Sequence, residues 1–188
     1  ALVGIDFSPA YIAYAQRRST DLRIVVNVGD ACELAFDDAS FDHSLSMLVL
    51  QFIPDAHNAV REMHRVTRPG GTVAAATWDT RGGFVFYRMF WDTAAAVDPD
   101  AIERRAKAYT RPMTRPGELE RAWRATGLVD VVQDTVAIRM DFASFADFWA
   151  PLDGKDGPLA DYVGSLNADL RRKVRHAVEL SYLDGEAD

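Results

Sequence analysis

One cysteine in 188 residues, Cys32, excludes an intrachain disulfide and with it the small stapled folds of secreted proteins. It fits a reducing, cytoplasmic setting, and a small buried hydrophobe is the role expected for it. No stretch approaches the roughly 20 apolar residues that cross a bilayer, so no membrane span is expected, and no charged-then-apolar targeting segment heads the sequence. Basic charge is scarce as well: 21 Lys and Arg stand against 28 Asp and Glu, a net charge of −7. A nucleic-acid partner is therefore not expected, because phosphate-tracking surfaces concentrate cations. Arg171, Arg172 and Arg175 read as the solvated face of a late helix. The four histidines, His43, His57, His64 and His176, show no metal-ligand spacing, although His57 and His64 share a helix face. No metal is expected. Missing too is any glycine-rich turn ahead of the first apolar run.

What is present is a globular composition, 48 % hydrophobic and 26 % charged, at a length that suits one domain. From Ala1 to Trp78, strand-like runs alternate with helical patterns, which implies parallel strands joined by crossover helices. The runs are Ala1–Ile5, Leu22–Val28, Phe41–Leu50 and Thr72–Trp78. Ser8 and Pro9 open a helix to about Arg18. Asp55 caps another, with Ala56, Ala59, Val60, Met63 and Val66 at helical spacing and Arg68-Pro69-Gly70-Gly71 as its stop. After Gly83 the character changes to aromatic-rich segments, Phe84 to Trp91 and Phe142 to Trp149. Between them are predicted a helix at Glu118–Ala125, ended by Gly127, and a strand at Val129–Met140. A loop is predicted at Pro151–Pro158. The fold class is α/β with a doubly wound, Rossmann-like, mostly parallel sheet. Residues 1–80 form its nucleotide-type core and residues 81–188 a lid and acceptor-pocket region of the same domain.

Acids at the carboxyl ends of adjacent parallel strands project into one crevice, where such sheets bind ligands. Asp6 and Asp30 are placed to do so. Asp6 suits the hydroxyls of a ribose and Asp30 an exocyclic adenine amine, with Phe7 available to cover the base. The competing reading makes Asp6 a residue preceding a helix cap and Asp30 part of a Gly-Asp turn.

Val-Gly-Ile-Asp-Phe-Ser-Pro (Val3 to Pro9), Val-Gly-Asp-Ala (Val28 to Ala31), Phe41-Asp42 and Arg-Glu-Met-His-Arg-Val-Thr-Arg-Pro-Gly-Gly-Thr (Arg61 to Thr72) stand in the order seen in class I S-adenosylmethionine-dependent methyltransferases. The resemblance is to the small-molecule branch of ubiquinone and menaquinone methylases, and it covers Ala1 to about Trp78. It implies S-adenosylmethionine as cofactor, with Asp6 on the ribose, Phe7 on adenine, and Asp30 with the Ala31 amide on the adenine edge. It further implies that Ser46 and Met47 line the cofactor and that Gln51 faces the substrate. Tyr87 and Trp149 are candidate contacts for an apolar or aromatic small-molecule acceptor, although aromatic stripes at this spacing also serve as core.

The family's first strand, with its glycine-rich loop, and its last antiparallel strand are not found in this sequence. Three expectations follow: a piece of a longer protein, strands that close up, or a homo-oligomer in which another copy fills the open edges. Two other functions remain on the table. One is a non-catalytic structural or interaction module. The other is a nicotinamide-dependent dehydrogenase, which explains Asp6 but not the Asp30 or Arg-Pro-Gly-Gly segments.

Overall fold

A computed structural model describes residues 1–154, 157–184 and 186. In chain order the elements are β1 (Leu2–Asp6), α1 (Pro9–Arg18), β2 (Ile24–Val28), β3 (Phe41–Met47), a 3-10 turn (Leu50–Phe52), α2 (Ala56–Val66) and β4 (Thr67–Ala76). The helices α3 (Val85–Val97), α4 (Ala101–Tyr109), α5 (Glu118–Ala125) and α6 (Phe145–Trp149) follow. A 3-10 turn (Ala150–Asp153), α7 (Pro158–Ser165) and α8 (Ala168–Leu183) complete the chain. Two compact units emerge, residues 1–78 with 112–133, and residues 79–111 with 134–188. Of the segments discussed above, Lys155 and Asp156 in the predicted loop, and Gly185, Ala187 and Asp188 at the end, lie outside the described residues.

In the first unit β1 pairs in parallel with β2, from Leu2 opposite Ile24 to Asp6 opposite Val28. α1 makes the crossover. Its start is set by Ser8, whose hydroxyl accepts from Tyr11 N at 3.5 Å, and by Pro9 in the first turn. β3 pairs in parallel with β4, from His43 opposite Thr72 to Met47 opposite Ala76. The expected single sheet is therefore two parallel pairs, because among the described residues no strand bonds to the free edges of β1 and β3.

The Arg68-Pro69-Gly70-Gly71 stop also differs from expectation. α2 ends at Val66, and the tetrapeptide is a bulge within β4, where the register jumps between Phe41 and His43. Gly70 adopts φ +76°, and a Cβ on Gly71 would lie 2.5 Å from the Asp42 carbonyl oxygen, so the chain can turn and pair at once only with glycine here.

α2 buries Ala56, Ala59, Val60, Met63 and Val66 against Leu50, Met113, Ala122 and Trp123, and the Trp123 indole donates to Val73 O at 3.1 Å. This is the apolar stripe read from the sequence. Beyond α5, however, the predicted strand Val129–Met140 is absent: the segment has no ladder partner among the described residues, and Val129, Val132 and Val136 stand exposed. Its alternation signals a β-ready segment, but a strand exists only where a second backbone meets its hydrogen-bonding groups.

The second unit is helical around an aromatic core. Phe90, Trp91, Phe145, Phe148, Trp149 and Tyr162 pack with Val174 and Val178 of α8. Phe90 meets Trp91 edge-on at 5.5 Å and Tyr162 at 6.1 Å, the geometry favoured by ring quadrupoles. Tyr162 donates its hydroxyl to Asp98 Oδ2 at 2.8 Å, and burial, then this bond, pushes its ionisation well above the ordinary tyrosine range. Both groups are buried and satisfied, which ties α7 to the turn between α3 and α4.

Candidate cofactor-binding site

The β1–β2 pairing carries the chain's two candidate carboxylates to one place. Asp6 ends β1, Asp30 follows β2 by two residues, and Gly29 N donates to Asp6 O at 3.0 Å to close the end of the pair. Each carboxylate spends one oxygen locally. Ser8 N donates to Asp6 Oδ1 at 2.8 Å and Cys32 N to Asp30 Oδ1 at 2.7 Å, so each acid holds its own turn. The turn-forming roles and the ligand-facing roles are thus compatible. The second oxygen of Asp6 has no protein partner among the described residues and can accept from a hydroxyl, while the Asp30 carboxylate, which also faces the Cys32 thiol, keeps lone pairs that can accept from an amine. Phe7 is 81 % exposed beside them, a ring face free to stack. The Ala31 N–H finds no backbone acceptor among the described residues.

The segment leaving Asp30 is held by α2. Leu34 N donates to Glu62 Oε2 at 2.8 Å, and Arg65 donates to the carbonyls of Leu34 and Phe36, to Glu62 and to Asp38. Sequence reading passed over this clamp. Its signal was present as polar residues recurring on the face of α2 opposite the apolar stripe, but such residues ordinarily mean solvent.

The Arg65 guanidinium, aided by the Leu34 amide, holds the Glu62 carboxyl below its ordinary value of 4.5. A depressed carboxyl contributes its stability in full above that ordinary value and loses it as pH falls through the folded one. The stability difference between wild type and Glu62→Gln should therefore stay constant near neutrality and shrink below pH 4.5. Denaturant unfolding at a series of pH values reads it, and a difference that persists unchanged in acid would contradict the clamp.

Ser46 and Met47 end the other parallel pair, opposite Ala75 and Ala76, and Met47 is exposed. Leu48 follows at φ +57° and turns the chain into the 3-10 segment that contains Gln51. Gln51 is 2 % exposed. Its Nε2 donates to Leu48 O at 2.8 Å, while its Oε1 is buried with no partner among the described residues. A buried acceptor left so costs about 1 to 3 kcal/mol, a cost that a donor from a ligand would relieve. Ala31 and Cys32 pack on the same apolar cluster to which Leu50 belongs.

Tyr87 and Trp149 are placed otherwise than as open acceptor contacts. They are 7 % and 3 % exposed within the second unit's core, and the Trp149 indole donates to Asp153 Oδ1 at 2.8 Å. Their rings serve packing, which the helical spacing of the aromatic stripes also allowed. The Cys32 thiol is raised above its ordinary range by burial and then by Asp30 and Asp55, which favours its protonated form near neutrality.

A family model described as "Methyltransferase domain" matches residues 1–75. The chain is 40 % identical over 73 residues to the demethylmenaquinone methyltransferase of Staphylococcus epidermidis, covering 38 % of this chain and 30 % of that one. It is 32 % identical over 146 residues to that of Roseiflexus sp., covering 72 % and 61 %. Among solved structures, a complex of a Haloferax volcanii methyltransferase activator with its methyltransferase aligns at TM-score 0.57 and 27 % identity, over 78 % of this chain and 59 % of that one. The chain thus spans less than two thirds of the length of these relatives. The two carboxylates, the Phe7 ring and the Ala31 N–H are groups of the kind that suit the sugar and base of a nucleoside, the half of S-adenosylmethionine that offers hydroxyls, an amine and a flat face.

Proposed function

We propose that this chain, which over its first 75 residues matches a methyltransferase family model and resembles class I S-adenosylmethionine-dependent methyltransferases of the ubiquinone and menaquinone type, binds S-adenosylmethionine and serves methylation of a small-molecule acceptor. In this reading Asp6 accepts from the ribose hydroxyls, Phe7 covers the adenine, and Asp30 with the Ala31 N–H takes the adenine edge. Ser46 and Met47 line the cofactor, and Gln51 offers its unpartnered Oε1 to a bound group.

The observation that carries the proposal is the pair of carboxylates at the same end of two paired parallel strands, each with acceptor capacity left after its local turn bond. When bound, S-adenosylmethionine supplies a sulfonium methyl group for in-line displacement by a nucleophilic atom of the acceptor. The protein's own task is to align the two and exclude water. An apolar acceptor of quinone type is suggested by the relatives' names.

A second reading, an interaction module, is favoured by one observation. Leu45 and Met47 of β3 stand 75 % and 72 % exposed, and among the described residues β3 pairs with β4 alone. Calorimetric titration with S-adenosylhomocysteine, accompanied by light scattering, separates the two. Binding at micromolar concentration is expected; a protein that self-associates and takes up no S-adenosylhomocysteine would support the module instead.

A further inference from the structure

The chain from Cys32 to Ala39 runs between β2 and β3 without pairing to a strand, yet its backbone is largely bonded. The partners lie on one stripe of α2, residues 58, 62 and 65, spaced as neighbours on a helix face. Asn58 Nδ2 donates to Cys32 O at 2.8 Å, Glu62 accepts from Leu34 N, and Arg65 Nη2 donates to Leu34 O at 2.9 Å. Ala39 N donates to Arg65 O at 2.9 Å, closing the segment onto the end of the helix. Asn58 is itself set in place, because Asp55 Oδ1 accepts from its backbone N–H and its side-chain Oδ1 accepts from Arg61 Nη2.

Asn58 grips the residue whose own N–H holds the Asp30 carboxylate. Cys32 N donates to Asp30 Oδ1 at 2.7 Å, Glu33 N donates to Asp30 O at 3.2 Å, and Cys32 O goes to Asn58. Any drift of Cys32 therefore carries both Asp30 and the Ala31 N–H with it. We propose that Asn58 is a positioning residue for base selection, acting through Cys32 to hold Asp30 and Ala31 in the pose that distinguishes adenine from hypoxanthine. The inference rests on the reading that these two residues face the adenine edge.

Adenine offers an amine donor beside a ring-nitrogen acceptor, which complements a carboxylate beside an N–H. Hypoxanthine reverses both, setting its carbonyl against the carboxylate and its ring N–H against the Ala31 N–H. Rejection of the reversed pattern requires that neither protein group can move aside. A loop tied down by a helix that touches no ligand supplies that constraint.

The test compares affinities of the full chain for S-adenosylhomocysteine and for its hypoxanthine counterpart, S-inosylhomocysteine, by calorimetry. Wild type is expected to prefer the adenine form by about tenfold or more. Asn58→Ala should lower that preference at least about fivefold, whereas Tyr162→Phe, which removes the buried hydrogen bond to Asp98 in the second unit, should lower the melting temperature and leave the preference alone. Asn58→Asp keeps the size and the helix position while removing the donor, so a poorly folded alanine variant does not end the test. It is expected to lose preference likewise. Variants that bind both ligands in the wild-type ratio overturn the role of Asn58. Wild type that binds both ligands equally, or neither, overturns instead the assignment of Asp30 on which it rests.

Discussion

Asp6→Ala is expected to weaken S-adenosylhomocysteine binding by about two to four orders of magnitude. A carboxylate accepting from two vicinal ribose hydroxyls makes charge-assisted hydrogen bonds of roughly 1.5 to 3 kcal/mol each, and each 1.4 kcal/mol is a tenfold change in affinity. The substitution also removes the acceptor for Ser8 N at the start of α1, so some loss of melting temperature accompanies it. Asp6→Asn separates the two effects. An amide oxygen keeps the local bond to Ser8 N and gives up the charge, so the turn is retained while most of the affinity is lost. Calorimetry on both variants reads the outcome, and affinities within about threefold of wild type would remove Asp6 from the binding site and leave it as a helix-start residue.

Trp91→Ala is expected to cost about 3 to 5 kcal/mol, the range for deleting a fully buried large aromatic side chain. Trp91 lies within 5.3 Å of the Tyr162 ring, 5.5 Å of Phe90 and 6.2 Å of Tyr87, at the centre of the second unit's core. Against a typical total stability of about 5 to 15 kcal/mol, a loss of that size brings the second unit close to unfolding at ambient temperature. Trp91→Phe should behave differently. Its smaller ring loses some contact, but the Trp91 indole N–H is buried without a partner among the described residues, and removing an unsatisfied donor offsets part of the loss. Urea unfolding followed by circular dichroism distinguishes the pair. A Trp91→Ala variant destabilised by less than about 1 kcal/mol would mean the cluster is loosely packed surface rather than core.

The legible parts of this protein are those whose signals are local. The apolar stripe of α2, the Ser8-Pro9 start of α1, and the end of α5 before Gly127 all stand where spacing and capping place them. Asp6 and Asp30 were legible as a pair because each closes a strand-like run, and two parallel strands in register must bring such ends together. Pro69-Gly70-Gly71 was legible only as an interruption, since whether it ends a segment or bulges within one depends on what Asp42 and Thr72 find across from them.

The order of strands and helices, the acids at the strand ends and the aromatic character of the second unit are determined by the sequence itself, through periodicity and caps that act over a few residues. Only the tertiary structure decided that Val129–Met140 forms no strand, that Tyr87 and Trp149 are interior, and that Asn58, Glu62 and Arg65 grip the Cys32–Ala39 segment. The reason is common to all three. A backbone or side chain is satisfied by whichever group arrives opposite it, and local pattern does not say which group that is: in the α2 clamp the partners are 26 to 31 residues away, and the polar face of the helix reads the same as one that meets solvent.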